Sequence, residues 1–148
     1  MKIDVFGHGM TPALRERVLE SMREAEPSLP NWVDLEPLYD HGERVRILDA
    51  NDIDIQVLTT PSPPLETLFE GEELRQVTTL ANDSMAELVD ASGGRIRGAV
   101  SVPLCDHDFA GGELRRGVGT LGLLGPQLFT SSLGMPLDDP TLELCRIN

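Results

Sequence analysis

The sequence predicts an α/β fold of parallel strand–helix–strand units, and three observations carry that reading. Short apolar or β-branched runs near residues 2–6, 54–60, 95–103 and 125–131 have the length and composition of buried strands. Between them lie longer stretches, three of them with apolar residues recurring at helical spacing. The resulting order, strand and helix in alternation, is that of right-handed βαβ crossovers on a parallel sheet. An open doubly wound sheet and an eight-stranded barrel both satisfy it at this level.

Each element has its own signals. Residues 2–6 form the first strand, and Thr11 followed by Pro12 supplies an N-cap and a proline at the first helical position. Leu14, Val18, Leu19 and Met22 then give one apolar face, so a helix is expected over 12–25, ended by Pro27 and Pro30. Residues 31–40 have no period and read as a loop. A second helix is expected over 41–52, with Val45, Leu48 and Ile53 on one side. The run "DIQVLTT" is the second strand, stopped by the breaker "PSPP". Residues 71–91 hold the strongest helical pattern, with Leu74, Val77, Ala81, Met85 and Leu88 in register before Gly93 and Gly94. "RIRGAVSVP" is the third strand, residues 107–120 a further helix, and "GPQLFTS" the fourth strand. At the end, Asp138 or Asp139 and Pro140 begin a helix that Leu142 and Leu144 continue. The sequence reads as stopping inside a fifth unit.

Composition narrows the function classes. The 148 residues suffice for one domain, or part of one, with a real core. At 40% hydrophobic and 25% charged the chain is globular in composition, and its few aromatics leave the core to Leu, Val, Ile and Ala. A net charge of -13 repels phosphate backbones and anionic lipid, so nucleic-acid and membrane-surface roles are disfavoured. No apolar run approaches the roughly 20 residues of a membrane span, and no signal peptide opens the chain, so a cytoplasmic protein is expected. Cys105 and Cys145 are then reduced and act as small apolar residues.

The leading candidate for chemistry is His8, at the carboxyl end of the first strand, where parallel α/β folds gather ligand groups. Alternate strand residues share a face, so a metal strand would carry His at both 6 and 8, and position 6 is Phe. Spacing alone leaves His8 as a metal ligand or a hydrogen-bonded turn residue, and favours the second. "GVGTLG", residues 117–122, is a formal GxGxxG, but it closes a helix and precedes a strand, the reverse of a dinucleotide site. His107, between Asp106 and Asp108, reads as a surface residue at a helix start, and His41 opens another helix. The acidic run 70–73 suits a helix N-terminus. No serine lies in a GxSxG elbow, so acyl transfer has no support.

Four stretches, "KIDVFGH", "RVRILDANDIDIQVLTTPSP", "ANDSMAELVDASGGRIRGAVSVPLCD" and "LRRGVGTLGLLGPQLFTSSLGMPLDDP", together resemble the N-terminal part of the amidohydrolase-related superfamily. The resembling branch contains aminocarboxymuconate-semialdehyde decarboxylase and γ-resorcylate decarboxylase. The stretches cover most of residues 1–8 and 44–140, in that family's order. The resemblance implies a metal-dependent (β/α)8 barrel, usually with zinc, acting on small carboxylated or amide-bearing molecules. It maps the family's Asp-x-His-x-His strand motif onto Asp4, Phe6 and His8, keeping one histidine and replacing the other. The family's other metal and catalytic groups belong to later strands, and Asn82 with Asp83, mid-helix, reads as packing.

The expected protein is therefore one partial domain over 1–148, the N-terminal half of a (β/α)8 barrel, with His8 as the single metal position. Catalytic residues are not identifiable. A catalytic zinc takes about three protein ligands plus water, so the expectation is a protein derived from a metal-dependent hydrolase or carboxy-lyase and inactive as this chain. The alternatives are a non-catalytic truncated product or a partner subunit that completes a barrel by association, with self-association through exposed strand edges, and an independent open-sheet binding domain.

Overall fold

The structure is a computed structural model and describes residues 1–25 and 35–138. The helix expected from Pro140 and the reading of Cys145 lie outside the described residues. Among the described residues, seven strands, β1 (Ile3–His8), β2 (Ile55–Thr59), β3 (Ile96–Gly98), β4 (Val100–Ser101), β5 (Pro126–Gln127), β6 (Ser131–Ser132) and β7 (Met135–Pro136), accompany four helices. These are α1 (Pro12–Ala25), α2 (His41–Ala50), α3 (Gly71–Ala91) and α4 (His107–Gly119).

Helix starts follow the chemistry of their flanks. The Leu14 amide donates to Thr11 Oγ1 at 3.3 Å, the Glu43 amide to Asp40 Oδ1 at 2.9 Å, and the Phe109 amide to Asp106 Oδ1 at 3.4 Å. α3 has no side-chain cap, but Glu72 and Glu73 sit in its first turn against the helix dipole. Its bounds are those the sequence predicts. α2 stops two residues earlier than expected, because Asp52 turns the chain with a φ of 53°.

β1, β2 and β3 pair in parallel in that order, and β4 pairs in parallel with β5. The expected third strand is thus two pieces that change neighbours at Ala99. The Ala99 amide donates to Leu58 O at 2.9 Å, and the next amide, Val100, donates to Gly125 O at 2.7 Å. From β1 to β5 the strands follow one another in chain order, with no reversal. A doubly wound sheet reverses at a switch point; this sequential order is that of a barrel wall, with helices on one face. The expected fourth strand shrinks to two paired residues. A short antiparallel hairpin of β6 and β7, unforeseen in the sequence, follows it, turned by Leu133 and Gly134 in the left-handed region.

The core has two layers. Leu58, Ile96, Val100 and Leu123 from the sheet region pack on Met85 and Leu88 of α3. Leu14 and Val18 of α1 pack on Leu74, Val77 and Ala81 at the other end of α3, with Leu65 and Phe69. The opposite face of the sheet is left bare, with Val5 71% and Phe6 83% exposed.

Two buried features lock α3 and α4 to the sheet. Asn82, 1% exposed, pairs its amide with the backbone of Ser101: Oδ1 accepts from Ser101 N at 2.7 Å and Nδ2 donates to Ser101 O at 3.0 Å. Nδ2 also donates to Glu113 Oε1 at 2.9 Å, and Arg116 holds the same carboxylate through Nε and Nη2 while its Nη1 reaches Asp83 Oδ1 at 2.6 Å. Asn82 and Asp83 are packing residues, as expected. The second feature is Gly117, where a Cβ would stand 2.6 Å from a methyl of fully buried Val100.

Burial alone would raise the Glu113 pKa, but the Arg116 and Asn82 hydrogen bonds and the Arg116 charge together outweigh it, so the folded value lies below the ordinary 4.5. The unfolded chain therefore takes up the proton first as pH falls. The stability this carboxylate contributes is complete above about pH 4.5 and drains away as pH falls through the lower folded value. Urea titrations should show Glu113→Gln losing part of the acid-side slope. Asn82→Ala should cost on the order of 3 kcal/mol, because it strands buried backbone groups at Ser101 and removes a donor to Glu113. Gly117→Ala gains about 1 kcal/mol of helix propensity and loses about 3 kcal/mol, the upper end of the usual overpacking cost, because Val100 is fully buried and a Cβ would stand 2.6 Å from its methyl, so a net loss of about 2 kcal/mol is expected in the same assay.

Candidate functional site

The carboxyl end of β1 carries His8, which is the last residue of the strand rather than part of a turn after it. In register it faces Thr59, the last residue of β2. His8 Nδ1 and Thr59 Oγ1 are 2.8 Å apart, and the Thr59 hydroxyl donates its single proton to Gly7 O at 3.2 Å. The tautomer that satisfies both contacts has Nδ1 as the donor to Thr59, and that tautomer leaves the Nε2 lone pair for another partner. A metal-bound histidine is held in this way, its second nitrogen donating to a neighbouring oxygen. Phe6 lies on the same face, its ring 5.2 Å from the imidazole and near-perpendicular at 68°.

Asp4, four residues before His8, should share that face by simple alternation. It does not. Asp4 pairs with Gln56 and His8 with Thr59, three residues apart on β2, so β1 holds one extra residue between Asp4 and Gly7. This β-bulge inverts the alternation and turns Asp4 to the helix side. There Asp4 Oδ2 accepts from Gln56 Nε2 at 2.6 Å and Oδ1 from the Phe6 amide at 3.0 Å. The Gln56 bond first, then the Phe6 amide and the nearby Arg44 charge, hold its pKa below the ordinary carboxylate value.

Arg44 of α2 completes this layer and was not singled out by the sequence. It is 7% exposed, and its guanidinium donates to Gln56 Oε1 at 2.6 Å, to Pro37 O at 2.6 Å and to the carbonyl of His8 itself. Burial lowers its pKa and the Asp4 charge opposes that shift. Its only sequence signal is a charge four residues before Leu48, on the buried stripe of α2. Gly7 is required beside it: a Cβ there would lie 2.7 Å from Leu58 Cδ2.

The donor set does not amount to a metal site. His8 offers one potential donor nitrogen, Phe6 offers none, and among the described residues no three His, Cys, Asp or Glu side chains are grouped to hold an ion. The other candidates are dispersed. His107 is an exposed first residue of α4, beside Asp106, which caps that helix and accepts from Arg75 Nε at 2.7 Å. His41 opens α2 with its ring nitrogens buried and unpartnered, and burial lowers its pKa. Residues 117–122 close α4 and turn through Gly122 at φ 70°, as expected. Cys105 is free but exposed, because it lies on the connection into α4 rather than in the core.

No protein-family model matches the chain. It is 34% identical over 82 residues to γ-resorcylate decarboxylase of Rhodococcus jostii, and 32% identical over 104 residues to 2-amino-3-carboxymuconate-6-semialdehyde decarboxylase of Dictyostelium discoideum. Those matches take in 55% and 70% of this chain but 25% and 29% of the two relatives. Among solved structures, 5-carboxyvanillate decarboxylase of Novosphingobium aromaticivorans, complexed with manganese and 4-hydroxy-3-methoxy-5-nitrobenzoic acid, superimposes with a TM-score of 0.82 at 26% identity. That superposition covers 96% of this chain and 45% of the solved one. The chain is a homologue of part of these decarboxylases, with the fold of part of their barrel.

Proposed function

We propose that this chain forms one partial amidohydrolase-related domain, the first half of a divalent-metal-dependent carboxy-lyase barrel for small carboxylated aromatic or muconate-type acids. His8 Nε2 is its metal-ligating atom, Thr59 and Arg44 hold that histidine, and the 148-residue polypeptide by itself does not turn over. The substrate class rests on sequence kinship with two decarboxylases of such acids. The observation that carries the site is the His8–Thr59–Gly7 hydrogen-bond chain, which fixes the imidazole at the carboxyl end of a barrel strand and engages it through Nδ1. Manganese in a solved relative and zinc by resemblance leave a divalent cation as the common chemistry. A reducing cytoplasm suits exposed, free Cys105.

A second reading, a subunit that completes a barrel by association, is favoured by the outer edge of β1. That strand ends its sheet, and Ile3, Val5 and Phe6 are exposed along it.

Loading the polypeptide with manganese or zinc and dialysing it should leave well under one ion per chain and no CO2 release from 2,6-dihydroxybenzoate. One tightly held ion with turnover would overturn the proposal. Phe6→His alone adds a second imidazole and should not restore either property, since about three protein ligands are needed. In a chimera where residues 1–138 with Phe6→His replace the matching part of the Rhodococcus enzyme, CO2 release is expected, and adding His8→Ala should abolish it. A chimera that stays active after His8→Ala would remove His8 from the site. Light scattering after size exclusion separates the second reading, which requires an oligomer.

A further inference from the structure

Thr78, on α3, is 1% exposed, and its Oγ1 bonds to no protein group. A buried hydroxyl left unpaired costs free energy, so such atoms in folded proteins almost always find a protein or water partner. Thr78 borders a cavity of about 20 Å³ at the carboxyl end of the sheet, between α3, the connection over 61–66 and the ends of the strands.

The wall of that cavity is polar at several points. Thr60, Ser101, Gln127 and Glu66 line it together with Thr78. Their mutual bonds do not exhaust them. Thr60 Oγ1 and Ser101 Oγ share one contact at 2.7 Å, so one of the two hydroxyl protons is left over, and each oxygen has two lone pairs. Glu66 accepts from Ser132 Oγ at 2.9 Å through Oε1. The Gln127 amide is spent on Thr60, donating to its carbonyl at 2.8 Å and accepting from its amide at 2.9 Å, and so fixes the wall rather than filling it.

Size and charge then select the occupant. One water needs roughly 10–15 Å³, and the 20 Å³ here is of that order. The Glu66 carboxylate opposes an anion in any case. Cavities that stay dry are lined by apolar groups alone, which this one is not.

We propose that this cavity is a binding site for a single ordered water, anchored by the Thr78 hydroxyl and bridging α3 to the strand-end hydroxyls beneath the 61–66 connection. The water is the missing partner of Thr78 and a structural pin at the face of the sheet where barrels of this kind place their chemistry. The assignment is independent of the metal and of the decarboxylase reading.

Crystals of the full chain, at a resolution that shows waters, should contain one ordered water within roughly 3.2 Å of Thr78 Oγ1. The site should persist in Thr78→Ser, which keeps the hydroxyl, and vanish in Thr78→Val, which keeps the volume and removes it. In solution, water relaxation dispersion should count one fewer long-lived internal water in the Val variant than in the Ser variant. A wild-type crystal with no density at that position overturns the proposal even if the Val variant fails to fold. An unchanged water in Thr78→Val overturns the role given to the hydroxyl.

Discussion

A buried backbone amide or carbonyl has to be paired, and at Ala99 this requirement decides the whole architecture. Up to Gly98 the third strand bonds to β2; from Val100 it bonds to β5, and the Ala99 and Val100 amides make the exchange within two residues. The exchange joins the first three strands to the fourth without reordering them. With strands in chain order and right-handed crossovers, the helices fall on one side and the other side is left for the inside of a barrel. Asn82 reinforces the same place, since its amide bonds to Ser101 as a neighbouring strand would. Gly117 lets α4 close down on Val100 from outside.

The barrel-side end of β1 is built on the same logic. His8 is held from one side by Thr59 and from the other by Arg44, whose guanidinium reaches the histidine's own carbonyl. A buried cation next to a strand end is costly unless its hydrogen bonds are met. Here Gln56 relays the Asp4 charge toward it, and two backbone carbonyls take Nη2. The imidazole is thus oriented by Thr59 and by the two Arg44 Nη atoms, while Arg44 Nε is buried without a partner and the described residues group no full set of donors to a metal.

What the sequence made legible was what depends on local periodicity. α1 and α3 have the predicted bounds because their apolar residues recur with the turn of a helix over many residues. β2 and the location of β1 follow from dense β-branched runs. The β1 bulge was not legible, since a single inserted residue alters no composition and appears only in the pairing with β2. Arg44 was hidden because a charge on a helix reads as solvated until the strands it serves are in place. β5 shrank from seven expected residues to two, and the hairpin of β6 and β7 depends on φ values at Leu133 and Gly134 that "SSLGMP" signals only through its glycine. Cys105, expected as a small apolar residue, is exposed because a residue between a strand end and a helix cap is placed by topology, not by its own hydrophobicity.

The bulge in β1 also bears on how the protein behaves in concentrated solution. An edge strand with exposed Ile3, Val5 and Phe6 is a template on which further chains could add in cross-β fashion, each pairing with the last. Such growth needs an unbroken ladder with constant alternation. The extra residue between Asp4 and Gly7 breaks the ladder in its middle, and the carboxylate of Asp4 is tied off beside the break. The distortion that removes Asp4 from the histidine's face therefore also leaves the apolar edge in two segments too short to propagate a fibril.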